Sequence, residues 1–205
     1  YPGWFFVGER QGLVALHWSL GAWTAHRVPG VDEEVHSLVE GPDGTLWVGA
    51  AQGDALRVDF AGAPSSTPAV ERFRQGKALP RGFNRVTSIG DELMVLSTAG
   101  VFDIRPREAG EGYQFVQDRR FRIEGNDAPL RSLFEATDHS VWMLRGDRAY
   151  RGVPAGDGYR WDSVEALHFP KAEQNPLFID PGGIVWMGNG RELLRYDSNQ
   201  ADTTA

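Results

Sequence analysis

The chain has 205 residues, with 21 Lys and Arg against 28 Asp and Glu for a net charge of −7, and it contains no Cys. With 41% hydrophobic and 11% aromatic residues it is too apolar for a disordered chain, yet no apolar stretch approaches the roughly 20 residues of a membrane-spanning helix. The missing Cys removes disulfide frameworks, Cys-based zinc sites, iron–sulfur clusters and Cys nucleophiles, and an acidic chain without a dense Lys/Arg run argues against a nucleic-acid partner.

In chain order, the first apolar run is Phe5-Phe6-Val7-Gly8, followed by Leu13-Val14-Ala15-Leu16 and by Trp23-Thr24-Ala25-His26-Arg27-Val28. Next comes Val35-His36-Ser37-Leu38-Val39-Glu40, a turn at Asp43-Gly44, then Leu46-Trp47-Val48-Gly49, Ala55-Leu56-Arg57-Val58 and Val70-Glu71-Arg72-Phe73. The pattern returns from Val86-Thr87-Ser88-Ile89 into Leu93-Met94-Val95, with a hairpin four residues shorter than the preceding copy. It returns again, without a gap, at Leu130-Arg131-Ser132-Leu133-Phe134-Glu135 leading to Val141-Trp142-Met143, and once more at Leu177-Phe178-Ile179-Asp180 leading to Val185-Trp186-Met187.

The anchors Phe6, Trp47, Met94, Trp142 and Trp186 are spaced by 41, 47, 48 and 44 residues, and a Gly lies six residues after each of the first three, at Gly12, Gly53 and Gly100. A repeat of this length, with four short apolar runs and turn residues between them, predicts blades of a β-propeller. A β-sandwich offers no reason to repeat a dozen-residue frame. No segment sustains helical spacing; Glu165-Ala166-Leu167-His168 stops at Pro170. The expected fold is therefore all-β, about five blade repeats of four antiparallel strands, with the first and last copies holding three strands each. That count predicts a partial or truncated ring, with repeats at about 4–34, 35–85, 86–129, 130–176 and 177–197 and a polar tail at 198–205. The anchor Trp residues are expected to pack between blades, and the Asp43-Gly44, Gly90-Asp91 and Gly182-Gly183 pairs to form hairpin turns.

The segment Val35 to Gly49, Val-x-Ser-Leu-x-Glu-x-x-Asp-Gly-x-Leu-Trp-Val-Gly, resembles the two-component regulator propeller repeat, and Asp180 to Gly188 is a second match. The copy at 130 is fair; those at 4 and 86 lack the first strand and the Trp. The resemblance implies a periplasmic or extracellular sensory module of a membrane signalling protein, with a kinase or diguanylate cyclase output elsewhere, and a carbohydrate as the kind of ligand.

No catalytic or phosphate-binding motif is present, and the five His residues, His17, His26, His36, His139 and His168, fall at unrelated positions without metal-ligand spacing. Neither a metal nor a cofactor is expected, and the run Asp32-Glu33-Glu34 reads as a solvated loop. The binding residues are expected on the first strand of each blade and the loops beside it: Arg85, Arg131, His36, Asn84, Asn126, Gln174 and Asn175, with Arg81 and Asp127 nearby. His36, Thr87, Arg131 and Asn175 are read as equivalent positions of that strand. The expectation is thus a sensor binding a small molecule, not an enzyme, that self-associates or joins the remaining blades of a longer chain. The alternatives are a propeller lyase or glycan hydrolase, and a protein-binding or dimerisation scaffold with open strand edges.

Overall fold

A computed structural model describes residues 1–108, 110, 112–168, 177–180, 182–188 and 193–197. The tail at 198–205 lies outside the described residues.

The architecture is all-β, in five small antiparallel sheets. The first holds β1 (Trp4–Glu9), β2 (Gly12–Ser19) and β3 (Ala22–Arg27). The second holds β4 (Val35–Glu40), β5 (Leu46–Ala50), β6 (Ala55–Asp59) and β7 (Ala69–Phe73); the third holds β8 (Asn84–Ile89), β9 (Glu92–Ser97), β10 (Gly100–Pro106) and β11 (Tyr113–Gln117). The fourth holds β12 (Leu130–Glu135), β13 (Val141–Arg145), β14 (Arg148–Ala155) and β15 (Gly158–His168), and the fifth β16 (Leu177–Ile179), β17 (Ile184–Gly188) and β18 (Leu193–Asp197). Each is a simple meander, the strand order of a propeller blade, and among the described residues the first and last sheets have three strands and the other three have four. Among the described residues the helical structure is one 3₁₀ turn, Arg119–Phe121, capped by the Asp118 side chain.

Two compact units result, Tyr1–Ser97 with Asp103–Val116, and Thr98–Phe102 with Gln117–Ala205. In the first unit β1 packs on β4 and β4 on β8; in the second β12 packs on β16. Trp47, fully buried, stacks on Phe73 at 5.5 Å and meets the edge of Tyr113 of the third sheet at 5.0 Å. Trp142, 1% exposed, meets Tyr196 of the fifth sheet at 6.2 Å among Leu144, Ala149, Leu167 and Val185. These two anchors fill the space between consecutive blades, where a large ring buries roughly 150–250 Å². Trp186 is half-buried and its Nε1 donates to Asp180 Oδ2 at 2.9 Å.

The glycine that follows the anchor has a steric role. Gly12 (φ 130°) and Gly53 (φ 76°) sit against the chain entering the next blade, and a Cβ there would stand 2.2 Å from the Val31 carbonyl oxygen and 2.1 Å from that of Gly82. Neither the left-handed backbone nor the contact admits a side chain.

The hairpin between the first two strands is fixed by its Asp. Asp43 Oδ1 accepts from Thr45 N (3.1 Å) and Oγ1 (2.6 Å), and Asp138 Oδ1 accepts from Ser140 N (2.9 Å) and Oγ (2.6 Å). In each case the other carboxylate oxygen takes an Arg from the third strand, Arg57 at 3.1 Å and Arg151 at 2.7 Å, the residue paired in register with the anchor Trp. Asp180 repeats the turn, accepting from Gly182 N and Ile184 N, and Arg195 pairs in register with Trp186. All three carboxyls sit below the usual carboxylate value: for Asp43 and Asp138 burial opposes the shift but is outweighed by the turn and Arg bonds, and for Asp180 the hydrogen bond from Trp186 Nε1 leads, followed by that from Ile184 N.

Candidate functional site

The first strands of the blades carry the residues singled out for binding, and their register decides which positions match. Val39 pairs with Trp47 and Phe134 with Trp142, while Thr87 pairs with Met94. Thr87 therefore corresponds to Val39 and Phe134, not to His36 and Arg131. The connection from that position to the anchor is one residue shorter in the third blade (94 − 87 = 7 against 47 − 39 = 8), not four. One further residue comes from an irregularity: the pairing skips a residue between Val35 and Ser37 and between Leu130 and Ser132, and β8 shows no such shift; the rest is frame, since Val86, paired with Val95, matches Leu38, paired with Val48, and not Val35. His36 and Arg131 are the bulged residues of these two strands. A bulge re-aims the side chain it carries.

By the same register Arg85, which pairs with Leu96, stands where the second and fourth blades have Ser37 and Ser132, paired with Gly49 and Leu144. An Arg occupies a position built for a small side chain. The close approach is absorbed by Gly49, where a Cβ would lie 2.3 Å from Ser37 Oγ and 3.3 Å from Arg85 Cα. Arg85 is half-buried, and its Nε has no hydrogen-bond partner. Burial depresses its pKa, with no carboxylate acting against that shift. Its guanidinium lies 5.1 Å from the centre of the Phe83 ring, and His36 packs against the same ring at 5.1 Å. Phe83 thus joins two residues chosen from the sequence, His36 and Arg85, into one cluster. An aromatic face flanked by a cation suits a ligand bearing hydroxyl or anionic oxygens.

The other expected residues are placed differently. Asn84 is 1% exposed, and its Nδ2 donates to the carbonyls of Gly53 (2.7 Å) and Pro80 (3.0 Å), so it holds the entry loop of β8. Arg131 is half-buried on β12 of the second unit. Asn126 donates to the Tyr150 hydroxyl at 2.8 Å and accepts from Ala128 N at 3.0 Å. Gln174 and Asn175 lie outside the described residues.

Sequence reasoning missed two features. Phe83 carried no polar signal, although its place between Gly82 and Asn84, just ahead of an apolar run, was visible. Arg145 ends an apolar run and gives no sign of burial by type, yet it is a buried arginine on β13, 9% exposed, whose Nη1 donates to Ala128 O at 2.9 Å. Among the described residues no group of three or more His, Asp or Glu side chains could hold a metal ion. No described helix is long and apolar enough to cross a membrane.

No family model matches the chain, and no curated protein sequence matches it. Solved structures do. The extracellular domain of a hybrid two component system from B. thetaiotaomicron superposes with a TM-score of 0.68 at 12% identity, covering 99% of this chain and 27% of that one. A second such domain from the same organism gives 0.62 at 18% identity, covering 99% and 25%. Virginiamycin B lyase from Staphylococcus aureus gives 0.59 at 16% identity, covering 96% of this chain and 63% of the lyase. The expected resemblance to two-component propellers is thereby met in solved structures.

The expectation that the chain is not an enzyme is corrected by the lyase: the same blades carry an enzyme there, so a missing sequence motif is no argument against catalysis. The chain spans 63% of the length of the lyase and about a quarter of the two-component domains, 27% and 25%. It shares with all three the all-β blade fold, and at these identities the likeness is one of fold alone.

Proposed function

We propose that the chain is a ligand-sensing propeller module that works outside the cytoplasm as part of a membrane signalling protein, binding a small hydroxyl-rich ligand of the carbohydrate class around Arg85. The observation that carries this reading is the state of Arg85: a half-buried guanidinium without a carboxylate, set over Phe83 beside His36, at a position where sister blades hold serine. A half-buried cation that no carboxylate among the described residues compensates costs stability, and a ligand that accepts its hydrogen bonds recovers that cost. The fold shared with extracellular domains of two-component systems supports the signalling role and the location.

The test is thermal unfolding with the neutral probes cellohexaose, xylohexaose and maltohexaose, because selective binding to the folded form raises Tm. At least one probe raises Tm of the native protein, and Arg85→Ala abolishes the rise while circular dichroism stays that of the native sheet. The absence of a shift with all three probes, or a shift kept in Arg85→Ala, overturns the reading.

A further inference from the structure

A second recess lies wholly within the second unit, away from the cluster around Arg85 in sequence and in unit. It is a cleft of about 330 Å³ lined by the chain at Ala99–Val101, by Gln117–Arg119, Phe121 and Arg122 around the 3₁₀ turn, by Asn126 and Asp127, and by Arg145. Its polar groups divide into those already committed and those left over. Asp118 caps the 3₁₀ turn through Arg120 N (2.9 Å) and pairs with the Arg120 guanidinium at 2.7 Å. Asn126 is held between Tyr150 and Ala128 N.

What remains is cationic. Arg119 and Arg122 are exposed and form no ion pair among the described residues. Arg145 is 9% exposed; its Nη1 serves the carbonyls of Ala128 (2.9 Å) and Asn126 (3.5 Å), while its Nε has no partner. Burial lowers the pKa of Arg145, opposed through space first by Tyr150 and then by the Asp127 carboxylate. Three guanidiniums therefore face one uncommitted carboxylate, on a chain whose net charge is −7. A positive recess on an acidic protein, floored by a nearly buried Arg with an unsatisfied donor, concentrates anions.

We infer that this cleft is a second ligand site, taking a small molecule through an oxyanion group, carboxylate or phosphate, clamped by Arg119 and Arg122 above Arg145. Arg is suited to this because its planar fork meets such an oxyanion with two parallel hydrogen bonds. The site does not depend on the cluster around Arg85, and the two separate by mutation.

The experiment is calorimetric titration of the whole chain with glucuronate, with inorganic phosphate and with neutral glucose at low and raised salt. In Arg85→Ala, where the carbohydrate cluster is removed, glucuronate or phosphate binds, glucose does not, and raised salt weakens the binding. The better of the two anions identifies the source of the oxyanion. The surface double variant R119A/R122A, which removes no buried group, weakens the anion at least tenfold, while Arg85→Ala leaves it unchanged. Failure of both anions to bind the native protein, binding retained by the double variant, or loss in Arg85→Ala overturns the inference.

Discussion

Arg85 is the residue on which the functional reading turns, and its energetic position makes a separate prediction. Ser37 and Ser132 hold the corresponding places, and Ser37 Oγ accepts a hydrogen bond from Val86 N at 2.9 Å. The second blade thus uses the position to tie itself to the third, whereas the third blade places an unpaired cation there. Residues retained for recognition tend to cost stability. Arg85→Ser is therefore expected to leave the unfolding free energy within about 0.5 kcal/mol of the native value or to raise it, because the lost stem packing over Phe83 is offset by relief of the buried charge. Urea denaturation followed by circular dichroism measures this, and a loss above about 2 kcal/mol would show that the guanidinium is structural. Arg85 was visible in the sequence as a polar residue beside a first strand, but its match to serine was hidden. Thr87 falls under His36 when Val86-Thr87-Ser88-Ile89 is matched by residue type to Val35-His36-Ser37-Leu38, whereas backbone pairing matches Val86 with Leu38, and the bulge at His36 is likewise a matter of pairing that residue types do not announce. For the same reason Asn84 resembled a ligand residue: an Asn that clamps a loop from inside is indistinguishable by type from one that faces solvent.

At the level of the blade, the Asp–Trp–Arg arrangement links the hairpin, the second strand and the third. Asp43 and Asp138 each fix the turn and then receive the Arg that is paired with the anchor Trp, and these Arg residues lie over aromatic rings, Arg57 over Tyr113 at 5.5 Å and Arg151 over Trp142 at 5.9 Å. The Trp itself is held by packing, since the Nε1 atoms of Trp47 and Trp142 have no hydrogen-bond partner. Trp142→Ala should consequently cost about 3–5 kcal/mol, the usual range for removing a large buried ring. Chemical denaturation checks it, and a loss below about 1 kcal/mol would mean that the ring fills no core. The blade repeat was legible because its signals are local: a Trp, a turn pair and alternating apolar residues within a dozen positions. The Asp was not, beyond its tolerance for turns. Its Arg partner is 14 residues on at Arg57 and 13 at Arg151, a separation that only strand pairing converts into contact.

Over the whole chain, the acidic composition has a definite consequence for stability. Glu33 is held below the usual carboxylate value chiefly by its hydrogen bond to Arg72, and Asp43 and Asp138, against the opposing effect of burial, by their turns and Arg partners. A carboxyl whose folded pKa lies below its unfolded one contributes stability above the ordinary value of about 4, and that stability disappears as the pH falls through the lower, folded value. The pairs are partly solvated and screened, so the expected fall in unfolding free energy between about pH 6 and pH 3 is about 1–3 kcal/mol in total. Denaturation curves at the two pH values measure it; equal stability at both would mean that these carboxyls titrate as free ones. The placement of the tryptophans has an optical consequence. Trp18 and Trp23, 48% and 53% exposed, lie with Trp4 and Trp47 in the first unit, while Trp142, Trp161 and Trp186 lie in the second. Their fluorescence sums a water-quenched, red-shifted component from the open pair and a blue one from the enclosed rings. Replacing the three indoles of one unit with phenylalanine turns the remaining emission into a reporter of the other.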